Sequence, residues 1–214
     1  MSLTLVVGTK NQAKLVEIQS ILSGLDLVLM PLTDFPDAPD VVEDGLTYRE
    51  NAEKKARIVA AWSGMLTLAE DSGLEVTALA GEPGVRTGRF GGPALTPRER
   101  YMLLLQRLCG VPLAERHATF RCTAVLADPA GHMLVREGRC EGMIGDGPRG
   151  EEGFGYDPVF IVRGMGRTLA ELSPMEKDVL SHRAHAIRAM LPLLTALARG
   201  ESWSAGMRTL GAAS

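Results

Sequence analysis

The sequence predicts an α/β protein with a mixed β-sheet, flanking helices and two lobes around a central cleft. Three observations carry this. The chain opens with an apolar strand followed at once by a helical repeat, the βα order of a parallel sheet. Its middle holds two long strand-like runs joined by a hairpin turn, which adds antiparallel pairing. Its 214 residues, 45% hydrophobic and 23% charged, suffice for one domain with a substantial core.

The elements follow in order. Residues 3–7 (LTLVV) read as a buried strand, and Gly8-Thr9-Lys10-Asn11 as the loop after it. Leu15, Ile18 and Leu22 recur at helical spacing, which predicts a helix over about 11–23. Residues 25–30 read as a second short strand, and a loop rich in Pro and Asp leads to Glu43-Asp44-Gly45. Thr47-Tyr48-Arg49-Glu50 is a capping box, in which each side chain satisfies one orphan backbone donor; its helix continues to about Trp62. The apolar run Met65, Leu66, Leu68, Ala69 reads as a buried strand that ends at Glu70-Asp71, with Ser72-Gly73 turning the backbone. Thr96-Pro97-Arg98-Glu99 and Ser173-Pro174-Met175-Glu176 repeat the capping device with proline at the first helical position. Residues 118–127 and 132–144 read as strands joined by Asp128-Pro129-Ala130-Gly131. A glycine-dense stretch (145–155) and a short strand near 158–162 follow. One long helix then carries the apolar stripe Ile187, Met190, Leu191, Leu194, Leu197. Residues 1–200 are expected to form a single domain of two lobes, and 201–214, small and polar, a flexible tail.

Composition narrows the function. A net charge of −3 gives no footprint for a nucleic acid polymer, and ten aromatics leave little for a stacking platform. No apolar run reaches the length of a bilayer span, and the N-terminus goes straight into a strand, so neither membrane nor secretion is expected. Three scattered cysteines without CxxC spacing argue for reduced thiols in a cytoplasmic protein and against zinc. The chain reads as one that handles a small molecule.

Several groups of residues suit an anionic, phosphate-bearing ligand. Adjacent acids at a strand end, Glu70 and Asp71, are what a hard cation such as Mg²⁺ needs, although Asp, Ser and Gly also punctuate ordinary strand exits. Glu43, before Gly45, is their natural companion, or else a solvated loop acid. The strand–loop–helix at Thr9 to Lys14 places N–H groups and a helix dipole where an anion can sit; Thr and Asn equally cap helices without a ligand. Asn51 and Lys55 share a helix face one turn apart. In Gly153-Phe154-Gly155-Tyr156-Asp157-Pro158, glycines let the backbone approach a flat ligand, Phe154 can stack on it and Asp157 can accept from its edge. A glycine-rich turn with aromatic packing is the plain alternative. Ser181 reads as a helix N-cap. His182 and Arg183, cations in a first helical turn, are unfavourable unless an acceptor-rich ligand compensates. Arg183 can fork onto two acceptors at once.

Taken together, Thr9-x-Asn11-x-x-Lys14, Glu43-x-Gly45, Glu50-Asn51, Glu70-Asp71-Ser72-Gly73-Leu74, Gly153-Phe154-Gly155-Tyr156-Asp157-Pro158 and Ser181-His182-Arg183 resemble the inosine triphosphate pyrophosphatase family, in its order and spacing. The resemblance runs from about residue 3 to 198. It implies an elongated α/β fold with a long mixed sheet, two lobes and a nucleotide cleft, a homodimer, and hydrolysis of ITP, dITP and XTP to monophosphate and pyrophosphate with Mg²⁺. By position it implies that Thr9, Lys10, Asn11, Gln12, Ala13, Lys14, Lys55 and Lys177 hold the triphosphate. Glu43 and Asp71 would bind metal, and Asp71 would also accept a proton. Ser72 would contact substrate; Phe154, Gly155, Tyr156, Asp157, His182 and Arg183 would frame the base. Lys10 and Ala13 replace two glycines of the family's Thr-Gly-Asn-x-Gly-Lys, and Glu70 replaces an Asp common in bacterial members. The competing readings are a pyrophosphatase for pyrimidine or modified nucleotides, against which stands the lack of a Ser-x-Ser-Pro-Arg-like loop, and a catalytically silent purine-nucleotide sensor.

Overall fold

Apolar, β-branched Leu3–Val7 forms strand β1, whose Leu5, Val6 and Val7 are fully buried. The computed structural model describes residues 2–211. Helix α1 (Gln12–Leu22) follows and returns the chain to β2 (Leu27–Pro31), parallel to β1 in the register Leu3↔Leu27 to Val7↔Pro31. Pro31 sits at the strand's last position, where a missing N–H does least harm to the ladder. Helix α2 (Tyr48–Ser63) leads into β3 (Thr67–Val76), which pairs parallel with β1 through Val6↔Thr67 and Val7↔Leu68. After α3 (Pro97–Arg107) come β4 (His117–Ala127) and β5 (Met133–Ile144). Five residues join them, too few for a parallel crossover, so β4 and β5 form a hairpin. Strand β6 (Phe160–Val162) adds antiparallel to β5, giving a mixed sheet of order β2-β1-β3-β4-β5-β6. The α/β class and the mixed sheet are therefore as expected from the sequence.

The chain divides into two compact units. One comprises Met1–Asp71, Thr123–Glu137 and the chain from Ala184 on; the other comprises Ser72–Cys122 and Gly138–Arg183. In the first, Ala52, Ala56 and Ala60 of α2 pack against Ala69, Val125 and Ala127, and Val59 packs with Val6 and Leu32. Alanines at this spacing bring the helix axis close to the sheet. In the second, Leu74, Leu104, Leu108, Phe120, Ile144, Val159, Phe160 and Leu169 share one core.

Four local expectations change. First, β3 does not end at Glu70: it runs through Glu70, Asp71, Ser72 and Gly73 to Val76, buried at nearly every position. What ends beside the acids is β1, whose last pair is Val7↔Leu68. Second, the long C-terminal helix is three short ones: α4 (Pro174–Leu180), α5 (His182–Arg188) and α6 (Leu191–Ala198). Pro192 in the first turn of α6 has no N–H to continue α5, so the helix breaks before it. Ser181 is the C-cap of α4, its N–H bonded to the Lys177 carbonyl. Third, the expected tail contains α7 (Trp203–Gly211), where Gly206 lies against Leu193 and Ala196 of α6 and Trp203 stacks on His132 at 5.7 Å. Residues 212–214 lie outside the described residues. Fourth, Thr47 caps α2 by accepting from Glu50 N, but Glu50 accepts from Leu46 N rather than Thr47 N, so that box is not reciprocal. The boxes at Thr96 and Ser173 are complete.

Candidate active site

In the first unit, α2 fastens a loop to a strand. Asn51 and Lys55, one turn apart, flank the alanine stripe and are themselves buried at 1% and 8% exposure. Asn51 Nδ2 donates to Asp71 Oδ2 at 2.9 Å, while its Oδ1 accepts from Gly45 N at 2.8 Å. Lys55 Nζ donates to the Glu70 carbonyl at 3.0 Å and pairs with Glu43 Oε1. Lys14 Nζ, from the first turn of α1, pairs with Glu70 Oε1 at 2.7 Å. Lys54, one position along, pairs with Asp44 at the surface. Glu43, Glu70, Asp71, Lys14, Lys55 and Asn51 thus form one cluster, in which the acids of β3 are nine-tenths or more buried.

The electrostatics follow from burial and crowding. Removal from water raises the Asp71 pKa above the ordinary carboxylate value; the Asn51 bond and Lys14 pull it back, and the charges of Glu70 and Glu43 push it up again. Burial pulls Lys55 down, but the carboxylates of Glu43, Glu70 and Asp71 more than offset this, so its pKa is raised. Asp71 is therefore a stronger base than a surface aspartate and Lys55 a firmly held cation.

The loop before α1 is locally satisfied. Asn11 is the N-cap and its Oδ1 accepts from Ala13 N and Lys14 N; Thr9 Oγ1 accepts from Asn11 N. Gln12 and Ala13 are the first two helical residues. Lys10 pairs with Asp40 at the surface, 3.2 Å away.

In the second unit the aromatic turn is built around Asp157. Its Oδ2 accepts from Phe154 N at 2.8 Å and pairs with Lys177 Nζ at 2.6 Å. Gly153 is required here: its φ is +76°, and a Cβ would lie 2.2 Å from Asp157 Oδ2. Lys177 Nζ and Arg183 Cζ lie 5.0 and 5.6 Å from the Phe154 ring centre, within cation–π range. Arg183, 1% exposed, donates from Nη2 to Ser72 Oγ at 3.2 Å. The His182 ring stacks on Phe120 at 4.8 Å, nearly parallel. Tyr156 is buried and donates its hydroxyl to the Thr87 carbonyl, and burial pushes its pKa up. Gly155 completes the turn at φ +63°.

The sequence-predicted residues therefore fall into two groups. Thr9 to Lys14, Glu43, Lys55 and Asp71 belong to the first unit; Ser72, Phe154 to Asp157, Lys177, His182 and Arg183 belong to the second. Asp71 and Ser72 are consecutive residues of β3. Lys177, expected with the phosphate-binding lysines, pairs with Asp157 and lies beside the Phe154 ring. Asp157, expected at a ring edge, holds Phe154 and Lys177 through one oxygen. Asn51, paired with Lys55 on one helix face in the sequence, was given no role of its own there, and Phe120 was not singled out. An amide on the buried edge of a helix, one turn from Lys55, is the signal that marks Asn51.

Comparison with known proteins gives the family. The Ham1 family model matches residues 5–193. The chain is 48% identical over 183 residues to a dITP/XTP pyrophosphatase of Geobacter sulfurreducens, covering 86% of this chain and 92% of that one. A dITP/XTP pyrophosphatase of Mycobacterium tuberculosis is 43% identical over 199 residues, covering 92% and 97%. Among solved structures, a HAM1 protein from Coxiella burnetii superposes with a TM-score of 0.81 at 40% identity, covering 90% of this chain and 98% of that one. The Staphylococcus aureus Ham1 protein gives 0.78 at 35% identity, covering 93% and 100%. The chain belongs to the Ham1 family.

Proposed function

We propose that this protein hydrolyses the non-standard purine nucleoside triphosphates dITP, ITP and XTP to monophosphate and pyrophosphate. The observation that carries the reading is the buried acid pair of β3, held by Lys14, Lys55 and Asn51. Buried carboxylates beside firmly held cations suit charge handling at a phosphate better than they suit stability alone. The match to relatives named dITP/XTP pyrophosphatase supports the substrate class.

The first cluster fits a hard divalent cation. Its donors are carboxylate oxygens already facing ammonium groups. Among the described residues no group of three or more His, Cys, Asp or Glu is arranged to hold a metal alone. Mg²⁺ takes one or two carboxylates and completes its shell with phosphate and water. Glu43 and Asp71 would hold it, and when bound it neutralises phosphate charge at the α-phosphorus. Asp71, its basicity raised by burial, draws the proton from the attacking water. Lys14 and Lys55 stabilise the departing pyrophosphate, with Thr9, Lys10, Asn11, Gln12 and Ala13 lining the triphosphate.

The second cluster reads the base. Phe154 stacks on the purine, backed by Lys177 and Arg183. Arg183 offers its donors to the 6-oxo group that inosine and xanthine carry and adenine lacks. Ser72 holds Arg183 in place, Asp157 holds Phe154, and Gly155, Tyr156 and His182 complete the frame. We take residues 1–200 as one catalytic domain. We place this enzyme in the cytoplasm as a homodimer. Its three free cysteines support that compartment.

Pyrophosphate release measured over ITP, dITP, XTP, GTP, ATP and UTP tests the proposal. Selective turnover of the first three is expected. Preference for UTP would favour a pyrimidine pyrophosphatase, and binding without turnover a sensor.

A further inference from the structure

We propose that Asn51 is a positioning residue for the reaction, one that sets the Glu43–Gly45 loop and the Asp71 carboxylate against each other. The inference rests on the reading above, in which Glu43 and Asp71 serve one reaction. Helix α2 carries two rungs. In one, Gly45 N–H donates to Asn51 Oδ1 and Asn51 Nδ2 donates to Asp71 Oδ2. In the other, Glu43 Oε1 meets Lys55 Nζ, which also donates to the Glu70 carbonyl. Loop residues two apart, helix residues four apart and adjacent strand residues are thereby tied in register.

The amide at 51 fills both roles of its rung. It accepts from a backbone N–H and donates to a carboxylate at once; an ionised aspartate cannot donate, and leucine can do neither. Asn51 is 1% exposed, so an unmade bond there is not replaced by water. Gly45 is part of the device. A Cβ at 45 would sit 2.7 Å from Asn51 Oδ1 and 2.9 Å from Glu50 Cβ, so any side chain forces the loop off the rung. The Asn51 bond also draws the Asp71 carboxylate into one orientation, as partners behind a ligating carboxylate do.

The test compares the full chain with Asn51→Leu, Asn51→Asp and Gly45→Ala. It reads steady-state ITP hydrolysis, Mn²⁺ binding by electron paramagnetic resonance without nucleotide, and urea unfolding. Both Asn51 variants are expected to lose about 10–100-fold in kcat with KM for ITP little changed. Both should bind Mn²⁺ more weakly, and Gly45→Ala, which disturbs only the loop side, should weaken Mn²⁺ binding with the smaller loss of kcat. Wild-type kcat and Mn²⁺ affinity in folded Asn51→Leu and Asn51→Asp would overturn the inference even if their urea midpoints fall, because Asn51 would then serve only the fold. Should neither variant fold, Gly45→Ala decides, and unchanged Mn²⁺ binding overturns it. If the wild-type protein fails to hydrolyse ITP, the proposed function fails, and Asn51 is judged on Mn²⁺ alone, equal affinity in wild type and Asn51→Leu being contrary.

Discussion

Replacing Lys55 by methionine removes the cation at the centre of the acid cluster while keeping the length of the side chain. The lost contacts are the pair with Glu43 and the 3.0 Å bond to the Glu70 carbonyl. A hydrogen bond to or from a charged group contributes about 1.5–3 kcal/mol, and removing one partner also leaves the other's desolvation unrelieved. Glu43 is 39% exposed, so solvent screens that pair and puts it at the low end. The bond to Glu70 is buried and keeps its full value. The net loss is about 2–4 kcal/mol. With a urea slope of about 3 kcal/mol per molar, the midpoint falls by about 1 M. The sign with pH is fixed as well. Lys55 has its pKa raised in the folded protein, so its contribution is complete below the ordinary lysine value and fades only as pH climbs through the raised one. The gap between wild type and Lys55→Met should therefore be constant from neutrality to mild alkali and close only in strong alkali. Urea titrations at several pH values measure this. An unchanged midpoint at pH 7 would refute the view that Lys55 neutralises the cluster.

Other outcomes follow from the same contacts. Asp71→Asn should lower turnover of ITP by about 10²–10⁴-fold, the range for a lost general base. It should not lower the melting temperature of metal-free protein near neutral pH. The folded pKa of Asp71 is raised, so its ionised form costs stability as pH rises, and an amide oxygen still accepts from Asn51; a clear drop in a calorimetric scan would contradict this. Gly153→Ala should destabilise the protein by about 1–3 kcal/mol, since it combines left-handed backbone with a clash at Asp157; a neutral effect in urea unfolding would argue against the turn as described. Arg183→Lys keeps the charge but loses the planar fork, so it should raise KM for ITP and narrow the ratio of ITP to ATP turnover, read from paired steady-state assays.

The sequence made some parts of this site legible and not others. Thr96 and Ser173 start helices where their capping boxes say, because that chemistry is local. Glu70 and Asp71 were recognisable as unusual, but their local pattern reads as a strand exit. The strand continues because Lys14 and Lys55 arrive from distant helices to neutralise the acids, which no nearby residue announces. The same holds for Lys177. The family resemblance implied a phosphate ligand, and its pairing with Asp157, twenty residues earlier, is visible only in the fold. Pro192 was visible in the sequence, yet the apolar stripe across it suggested one helix. Helix α7 was missed because its small residues, Ala205 and Gly206, looked like a tail, when close packing on α6 is what they permit.

The most direct test of the account follows the oxygen of the attacking water. ITP turned over by the wild-type protein in heavy-oxygen water should yield labelled IMP and unlabelled pyrophosphate, with no orthophosphate. Label in pyrophosphate, or release of orthophosphate and IDP, would contradict attack at the α-phosphorus beside Asp71.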